Sequence, residues 1–286
     1  MPVRTLIVDD SALMRQLLKG LLQRDARIEV VGTASDPLQA REMIKRVNPD
    51  VLTLDVEMPR MDGLSFLEKV MTLRPMPVVM VSSLTQDGAD ATIRALELGA
   101  IDFFPKPAVD LEQQLTAMAD TLCAKVVSAA SARVRPLERT ATQRKEGAPK
   151  PAAFKTTENV VAIGSSTGGV EAVREVVAEM PPNGPAVLVA QHMPPGFTAT
   201  FADRLNKVSH VAVKEAVDGE RVLPGHVYIA PGSHHLKLAK SGANYLCKLD
   251  DGPPVTGHKP SVDVLFASFA VNASQNGVGV ILTGMG

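Results

Sequence analysis

The 286-residue sequence has no tryptophan, few aromatic residues, two cysteines and almost no net charge. Aromatic residues make up 3% of the chain and the formal net charge is −1, so neither stacking surfaces nor a basic surface indicates a nucleic-acid partner. The sequence also lacks an apolar run of the ~18 residues that a membrane span needs, and its N-terminus lacks the apolar region of a signal peptide. These absences predict a cytoplasmic protein with no nucleic-acid partner and no membrane insertion.

The cysteines and the overall composition are those of an ordinary globular protein. Cys123 and Cys247 lie far apart and show no metal-binding or redox spacing, which predicts two buried thiols in a reducing compartment. Hydrophobic residues make up 45% of the chain and charged residues 21%. The length suggests two domains, each large enough for its own core.

The first part of the chain alternates short apolar runs with amphipathic helical patterns, which predicts a flavodoxin-like (βα)5 domain over residues 1–122. Because strands and helices alternate, the sheet should be parallel and covered on both faces. The predicted strands are 6–8, 28–31, 51–54, 77–81 and 101–104. The predicted helices are 11–24, 36–47, one that follows residue 63, 91–98 and one that begins near residue 111.

A basic, proline-containing stretch over residues 123–156 predicts a linker, whose first part could continue the preceding helix. It could be a solvated tether or a basic patch for an acidic partner. Residues 157–286 alternate again, which predicts a doubly wound parallel-sheet α/β domain that is incomplete at its C-terminus. Its predicted strands are 160–163, 186–190 and 278–282, with short, less regular strands at 227–230, 235–238 and 245–249, and its helices are 169–180, 198–205 and 261–273.

Polar side chains follow four of the five predicted strands in the first domain. They are Asp9, Asp10, Asp55, Ser82 and Lys106. Because the carboxyl ends of parallel strands share one edge of a sheet, we expect these side chains to lie together. Three neighbouring carboxylates repel each other unless a hard cation such as Mg²⁺ joins them. A carboxylate beside Mg²⁺, a hydroxyl and a lysine is suited to accept a phosphoryl group.

This acidic cluster closely resembles the receiver domain of two-component response regulators. The resemblance covers about residues 3–120. It implies that Asp55 is the phosphoacceptor. It also implies that Asp9, Asp10 and Asp55 hold Mg²⁺, helped by the backbone carbonyl of Glu57.

The same resemblance implies the parts of a phosphorylation switch. Ser82 would sense the phosphoryl group, Lys106 would contact it, and Phe103 would occupy the switch aromatic position. Pro105 directly precedes Lys106, fixes φ and has no N–H. The coupling between Lys106 and Phe103 is therefore expected to be altered.

Residues 164–169 (GSSTGG) form a glycine-rich turn between a predicted strand and a predicted helix. Glycines permit a tight turn, and the helix N-terminus supplies N–H groups that can hold an anion. The turn could be a phosphate-binding loop, although the lysine of the nucleotide motif is absent and the GxGxxG spacing does not fit. It could instead carry a serine nucleophile.

His192 stands out among the histidines because it follows the predicted strand 186–190. If that strand neighbours strand 160–163, His192 can reach Ser166. Adjacent strand residues point to opposite faces, so Ser166 rather than Ser165 is the predicted nucleophile. We interpret the following histidines as structural: His210, His226, His234 and His258. A base histidine also needs an orienting carboxylate, and the loop at residues 283–286 could carry one, but the sequence ends there.

Four segments of the second half look like the catalytic domain of the chemotaxis protein-glutamate methylesterase: 162–169, 191–197, 258–266 and 279–286. With a receiver in front, the chain resembles the CheB family from end to end. The resemblance implies Ser166 as the nucleophile, Thr167 as its neighbour, His192 as the base and the backbone N–H of Met285 as an oxyanion contributor. The family's catalytic aspartate would fall just beyond residue 286, and Lys259 stands where arginine is common.

The resemblance implies a phosphorylation-regulated enzyme that hydrolyses methyl-glutamate esters on methyl-accepting chemotaxis receptors and deamidates receptor glutamines. A chemotaxis histidine kinase would supply the phosphoryl group, and the esterase site would need no cofactor. Phosphorylation is expected to release an inhibitory contact of the receiver. Because the matching aspartate is missing from the sequence, we expect an impaired esterase. The alternatives are a catalytically inactive phospho-receiver that binds receptors, and a nucleotide-binding regulator.

Overall fold

The computed structural model describes residues 1–58, 62–83, 85–106, 115–132, 134, 136 and 159–284, with backbone alone at residues 86 and 115–117. The chain forms two compact units, Met1–Arg139 and Thr140–Gly286. The domain boundaries predicted after residues 122 and 156 stay predictions. Among the described residues, no helix combines the length and the apolar character that crossing a bilayer requires.

The described part of the first unit contains a five-stranded parallel sheet with strand order β2-β1-β3-β4-β5. Its strands are β1 (Val3–Val8), β2 (Ile28–Ala34), β3 (Val51–Asp55), β4 (Val78–Ser82) and β5 (Asp102–Pro105). Its helices are α1 (Ala12–Leu22), α2 (Pro37–Val47), α3 (Gly63–Leu73), α4 (Gln86–Glu97) and α5 (Leu115–Ala130). The order confirms the predicted flavodoxin-like sheet. The direction of winding reverses between β1 and β3, so the ends of these strands flank a crevice suited to a ligand.

Short polar side chains start the helices that follow the strands of this sheet. Ser11, Asp36, Asp62 and Thr85 each accept a hydrogen bond from a backbone N–H in the first turn of the next helix. The cap at Thr85 explains why α4 begins at residue 86 instead of 91. This cap is difficult to recognise in the sequence, because the first turn of α4 contains a glycine and few apolar residues.

Helix α5 extends to Ala130, so the stretch predicted as linker begins with helix. Cys123, Val126 and Ala129 are buried in the core of the first unit. The Sγ of Cys123 lies 3.6 Å from the backbone oxygen of Leu21. Most of the remaining predicted linker lies outside the described residues.

The second unit contains, among its described residues, a parallel sheet of order β12-β6-β7-β9-β8. The strands of this unit are β6 (Val160–Ser165), β7 (Ala186–Gln191), β8 (Ala212–Glu215), β9 (His226–Ile229), β10 (His235–Ser241), β11 (Asn244–Asp250) and β12 (Gly277–Ile281). Its helices are α6 (Gly169–Ala178), α7 (Phe197–Val208) and α8 (Val262–Asn272), and a 3₁₀ turn covers Ser274–Asn276. The winding reverses between β6 and β12, which places a second crevice at the end of β6.

Two features of this unit differ from the sequence-based expectation. Strands β10 and β11, which were expected to be short and less regular, form a regular antiparallel hairpin separate from the parallel sheet. Strand β8, which was not predicted, pairs with β9 at the sheet edge. Its four residues alternate between exposed and buried or half-buried positions, and so short a pattern is difficult to distinguish from a loop. Cys247 is buried on β11, and burial raises the pKa of its thiol to about 12.

Candidate functional sites

The ends of β1, β3 and β5 bring together three carboxylates and a lysine. Carboxylate oxygens of Asp9, Asp10 and Asp55 lie within 4.8 Å of one another. The Nζ of Lys106 donates to the carboxylate of Asp55 at 2.8 Å and lies 3.9 Å from Oδ2 of Asp9. Asp9 and Asp55 are 0% exposed. The predicted clustering of these four side chains is confirmed.

The burial of the acidic cluster disfavours its charged carboxylates. Burial, followed by the negative charge of Asp55, raises the pKa of Asp9 to about 6. Burial also raises the pKa of Asp55, although the hydrogen bond from Lys106 acts in the opposite direction. For Lys106 burial lowers the pKa, but the hydrogen bond and the charge of Asp55 outweigh it, so the net shift is upward.

One oxygen of Asp9 is buried without a hydrogen-bond donor among the residues that the structure describes. Oδ1 accepts the backbone N–H of Ser11 at 2.8 Å, whereas Oδ2 is the atom left without a donor. An orphaned carboxylate oxygen beside two other carboxylates has the chemistry that a hard divalent cation seeks. The donor set therefore fits Mg²⁺, and the backbone N–H of Glu57 donates to Asp55 Oδ1 at 3.1 Å at the same edge.

A cleft of about 600 Å³ opens beside this cluster. Its polar lining includes the side chains of Asp10, Glu57, Asp62, Asp87 and Lys106. The carboxylate of Glu57 accepts a hydrogen bond from Ser83 at 3.0 Å. A small phosphorylated molecule would therefore approach through an acidic cleft in which a cation and Lys106 supply the positive charge.

Ser82 lies on β4, the neighbour of the strand that ends at Asp55, and Phe103 lies on β5, one strand further from Asp55. The hydroxyl of Ser82 donates to the backbone carbonyl of Gly88 in α4 at 3.1 Å. Phe103 is 3% exposed, and the Nζ of Lys125 lies 5.5 Å from its ring centroid. Pro105 is paired with Ser82 in the β4–β5 register, and the next backbone N–H, that of Lys106, donates to Ser82 at 2.7 Å. The β4–β5 pairing therefore continues to Pro105 although this residue has no N–H to donate.

The second cluster lies where β6 and β7 end. These strands are neighbours, with Ser165 paired to Gln191, so the condition for bringing His192 to Ser166 is met. The Oγ of Ser166 lies 3.1 Å from Nδ1 of His192. Ser166 is 7% exposed and His192 is half-buried. The pair has the distance that proton transfer from a hydroxyl to an imidazole requires.

Ser165 and Gln191 support the Ser166–His192 pair through hydrogen bonds. The hydroxyl of Ser165 donates to Oε1 of Gln191 at 2.6 Å, and Nε2 of Gln191 donates to the backbone oxygen of Ser166 at 2.9 Å. The two serines therefore point to different partners, as the alternation along a strand predicted. No role was predicted for Gln191, although it directly precedes His192 in the sequence.

The turn after Ser166 leads into the N-terminus of α6, which no side chain caps. Gly168, at the N-cap, has a φ of +74°, in the left-handed region that favours glycine. The first N–H of the helix, that of Gly169, donates to the carbonyl of Ser166 at 2.8 Å, and the helix N-terminus presents the positive end of the helix dipole. The turn thus holds Ser166 beside groups that favour a developing negative charge.

The loop after β12 packs against Ser166. The backbone N–H of Ser166 donates to the carbonyl of Thr283 at 2.8 Å. Gly284 lies so close that a Cβ built on it would fall 2.6 Å from Cα of Ser166 and 2.7 Å from its N. Met285, whose backbone N–H is predicted to contribute to an oxyanion site, lies outside the described residues.

His258 was predicted to be a structural histidine, but it lies at this site. Its ring stacks on that of His192 with a centroid separation of 3.9 Å and an interplanar angle of 10°. The sequence carried no geometric signal for this contact, because His258 comes from a loop far along the chain. Its place in one of the four family-like segments was the one available indication.

Comparison with known proteins assigns both units to described families. A family model described as CheB methylesterase matches residues 161–286, and one described as response regulator receiver domain matches residues 5–119. Protein-glutamate methylesterase/protein-glutamine glutaminase 2 of Xanthomonas oryzae pv. oryzae is 56% identical over 100% of this chain and 82% of its own length. The protein-glutamate methylesterase/protein-glutamine glutaminase of Pectobacterium atrosepticum is 58% identical over 99% of this chain and 81% of its own length.

The solved structures that this chain matches include a domain from Thermotoga maritima. The crystal structure of the Thermotoga maritima CheB methylesterase catalytic domain is 43% identical in sequence and has a TM-score of 0.44. The match covers 45% of this chain and 68% of that one.

Proposed function

This chain belongs to the CheB methylesterase family and has a receiver domain, and from this premise we propose that Ser166 hydrolyses methyl esters of protein glutamate side chains while Asp55 receives a phosphoryl group. The observation that supports the esterase assignment best is the 3.1 Å distance between Ser166 Oγ and His192 Nδ1 beside an uncapped helix N-terminus. The relatives named above are also glutaminases, so amide hydrolysis at protein glutamine belongs to the same proposal.

The proposed hydrolysis proceeds in two steps through a covalent intermediate. Ser166 Oγ attacks the ester carbonyl carbon and its proton passes to His192 Nδ1. The tetrahedral oxyanion collapses, the C–O bond to the methoxy group breaks, and His192 returns the proton so that methanol leaves. Water then attacks the glutamyl ester of Ser166 in the same way and releases the free carboxylate. With a glutamine substrate the leaving group is ammonia.

The oxyanion would lie at the N-terminus of α6. The N–H groups of an uncapped first turn and the helix dipole stabilise a negative charge that forms there. We assign a second donor to the backbone N–H of Met285, because it directly follows Gly284 in the sequence and Gly284 lies against Ser166. Thr167, between Ser166 and the glycines, belongs to the same turn.

The close approach of Gly284 to Ser166 leads to a first prediction. Gly284→Ala should lower the turnover number for ester hydrolysis by ~100-fold, because the new Cβ forces Ser166 away from His192 and a displacement of ~1 Å has that effect on rate. Gly279→Ala in β12 is the matched control, since its Cβ would meet Phe266 at an ordinary 3.4 Å. Steady-state assays of both variants test the prediction. Equal turnover in wild-type and Gly284→Ala protein would contradict it.

In the receiver, Asp9, Asp10 and Asp55 would hold Mg²⁺, with the backbone carbonyl of Glu57 as a further ligand. When bound, the ion neutralises charge on the phosphoryl oxygens during transfer. Asp55 Oδ attacks phosphorus in line with the leaving group, and Lys106, which already donates to that carboxylate, then contacts the new phosphoryl oxygens. The side chain of Lys106 therefore orients the Asp55 carboxylate before phosphoryl transfer and holds the phosphorylated Asp55 after it.

Phosphorylation would act on the rest of the unit through Ser82 and Phe103. We assign Ser82 the role of sensing the phosphoryl group, for which its hydroxyl must leave the carbonyl of Gly88 that it now contacts. This change would loosen the first turn of α4. Phe103, buried on the neighbouring strand β5, would respond to the space that the movement opens.

We infer the partners from the family to which the chain belongs. The phosphoryl donor would be the histidine kinase of a chemotaxis pathway, and the ester substrates would be methyl-accepting chemotaxis receptors. The receiver then regulates ester hydrolysis through the state of Asp55. A receiver joined to an esterase of this family makes such control the simplest reason for one chain to carry both units.

Asp9 provides a second prediction, which concerns stability. In Mg²⁺-free buffer at pH 7.5, Asp9→Asn should raise the free energy of unfolding by ~2 kcal/mol. The pKa of Asp9 is about 6 in the folded protein and 3.8 in the unfolded chain. Its contribution to the free energy of unfolding is therefore fully present below about pH 3.8 and is lost as the pH rises through 6. The gain from the neutral amide should therefore shrink as the pH is lowered through 6.

Thermal and denaturant unfolding curves at several pH values measure this effect, with Asp10→Asn as the control. Asp10 is exposed, so its neutralisation should change stability little without Mg²⁺. Added Mg²⁺ should stabilise the wild type and neither variant. A lower stability of Asp9→Asn at pH 7.5 without Mg²⁺ would contradict the prediction.

The function as a whole is tested with receptor fragments that carry methyl-glutamate esters. Incubation with the protein, acetyl phosphate and Mg²⁺ should remove one CH₂ unit of mass from each modified glutamate and release methanol. Glutamine-containing fragments should gain the mass change of deamidation. Folded, phosphorylated protein that changes neither fragment would refute the hydrolase and leave a receiver that only binds receptors.

A further inference from the structure

The stacked pair of imidazoles is the feature of the second unit that the mechanism above does not use. We propose that His258 is a positioning residue for His192: its ring face holds the imidazole of the base in the orientation that places Nδ1 3.1 Å from Ser166 Oγ. The proposal rests on the serine-hydrolase function, and adds to it a residue that acts only through the base, His192.

A hydrogen bond to the backbone fixes the tautomer of His258 and the orientation of its ring towards His192. Its Nδ1 lies 3.0 Å from the backbone oxygen of Thr256. A carbonyl oxygen only accepts, so Nδ1 carries the proton and donates, and the neutral ring has its lone pair on Nε2. The ring plane is therefore set by the backbone of its own loop before it meets His192.

The loop that carries His258 is itself well anchored. Val255 and His258 exchange two backbone hydrogen bonds, each 3.0 Å long. The Nζ of Lys259 donates to the carboxylate of Asp251 at 2.8 Å. These contacts hold the residues on both sides of the ring, so the stack is presented by a rigid support.

A buried histidine ties the same loop to the hairpin. His235, which is 2% exposed on β10, accepts the backbone N–H of Ser261 on Nδ1 at 3.1 Å. Its other ring nitrogen, Nε2, lies 3.0 Å from the backbone oxygen of Pro253 and donates to it. One imidazole thus links the start and the end of the segment that contains His258. Because its loop is held at both ends, the ring of His258 keeps its place while His192 gains and loses a proton.

The base needs such support because rotation about the last side-chain bond of histidine is broad. An imidazole free to rotate spends much of its time with neither nitrogen aimed at the serine hydroxyl. A flat ring 3.9 Å away and only 10° from parallel removes that freedom on one side, whereas a smaller side chain would not. Losing the alignment costs turnover rather than substrate binding, since misplacement of a reacting group by ~1 Å lowers rates by ~100-fold.

The test compares His258→Ala with His258→Phe, which keeps a flat ring but has no proton to titrate. We expect His258→Ala to lower kcat for methyl-ester hydrolysis ~10- to 100-fold with KM changed less than about twofold, and His258→Phe to recover most of the loss. His210→Ala is the control for removing a histidine elsewhere in the unit. A folded His258→Phe protein as slow as His258→Ala, or a His258→Ala protein with unchanged kcat, would overturn the proposal.

A double-mutant cycle separates positioning from general damage. His258→Ala should have almost no further effect on kcat in a His192→Ala background, because the base through which it acts is absent. An equal fold-loss in both backgrounds would overturn the proposal, since it would show that His258 acts on the fold and not through His192.

The rate of labelling by a fluorophosphonate distinguishes failure of this proposal from failure of the proposed function. The reagent reacts with an activated serine and needs no receptor substrate, so it reports on Ser166 whatever the natural ester is. Wild-type protein labelled at Ser166 ~10-fold or more faster than His258→Ala supports the positioning role even if receptor esters are not hydrolysed. Equal labelling rates of wild type and His258→Ala would overturn the positioning role even if receptor esters are hydrolysed.

Discussion

Ser166→Ala is expected to lower the turnover number for methyl-ester hydrolysis by roughly 10⁴- to 10⁶-fold, which is the scale on which removal of a serine nucleophile acts. The side chain is 7% exposed and its Oγ lies 3.1 Å from Nδ1 of His192, so no other hydroxyl is needed to begin the reaction. Removing one oxygen creates little empty space, and the fold should persist. Methanol release under saturating ester measures the effect.

Ser165→Ala is the matched control for that variant. The hydroxyl of Ser165 donates to Gln191, whose amide in turn donates to the backbone oxygen of Ser166. Its loss should loosen the support of Ser166 and lower turnover by less than ~10-fold. If Ser165→Ala abolished hydrolysis and Ser166→Ala left it intact, the nucleophile would have to be moved back by one residue.

Asp55→Asn should abolish phosphorylation of the receiver by acetyl phosphate in Mg²⁺. In the wild type the Asp55 carboxylate forms a bond to phosphorus, the bond from phosphorus to the acetate oxygen breaks, and acetate leaves. An amide is a poor nucleophile and a poorer ligand for the cation, so both halves of the reaction are lost. Labelling with ³²P or the 80 Da gain in intact mass measures the product, and chelation of Mg²⁺ should prevent it.

Asp50→Asn serves as the control for removing one carboxylate from the first unit. Asp50 lies in the loop before β3, where it accepts the backbone N–H of Arg4 at 2.8 Å, away from the acidic cluster. That variant should be labelled as fast as the wild type. Undiminished labelling of Asp55→Asn would show that the phosphoryl group goes to another residue.

The receiver site could be predicted because it depends on simple topology. Asp9 and Lys106 each follow a strand and Asp55 ends one, and five strands that alternate with helices form a parallel sheet whose carboxyl ends share one edge. No long-range packing knowledge is needed to bring them together. The register of β6 and β7 brought Ser166 and His192 together for the same reason.

The remaining parts of the esterase site depend on packing that local patterns do not encode. His258 reaches His192 because a loop after an antiparallel hairpin folds back over the sheet end, and the hairpin itself was expected to be less regular strands. Gln191 is the last residue of an apolar strand, where a polar side chain resembles the end of the strand pattern and not a residue that supports the site. Gly284 matters through a close approach to Ser166 that is visible only in three dimensions.

The most direct test of the account is to identify the residue that carries the acyl group during turnover. The protein is mixed with a methyl-glutamate peptide ester, quenched with acid within one turnover, digested and analysed by fragmentation mass spectrometry. We expect one adduct, with the mass of the peptide ester less methanol, on Ser166, and its absence from Ser166→Ala. An adduct on another residue, or ester hydrolysis that continues at the wild-type rate in Ser166→Ala, would contradict it.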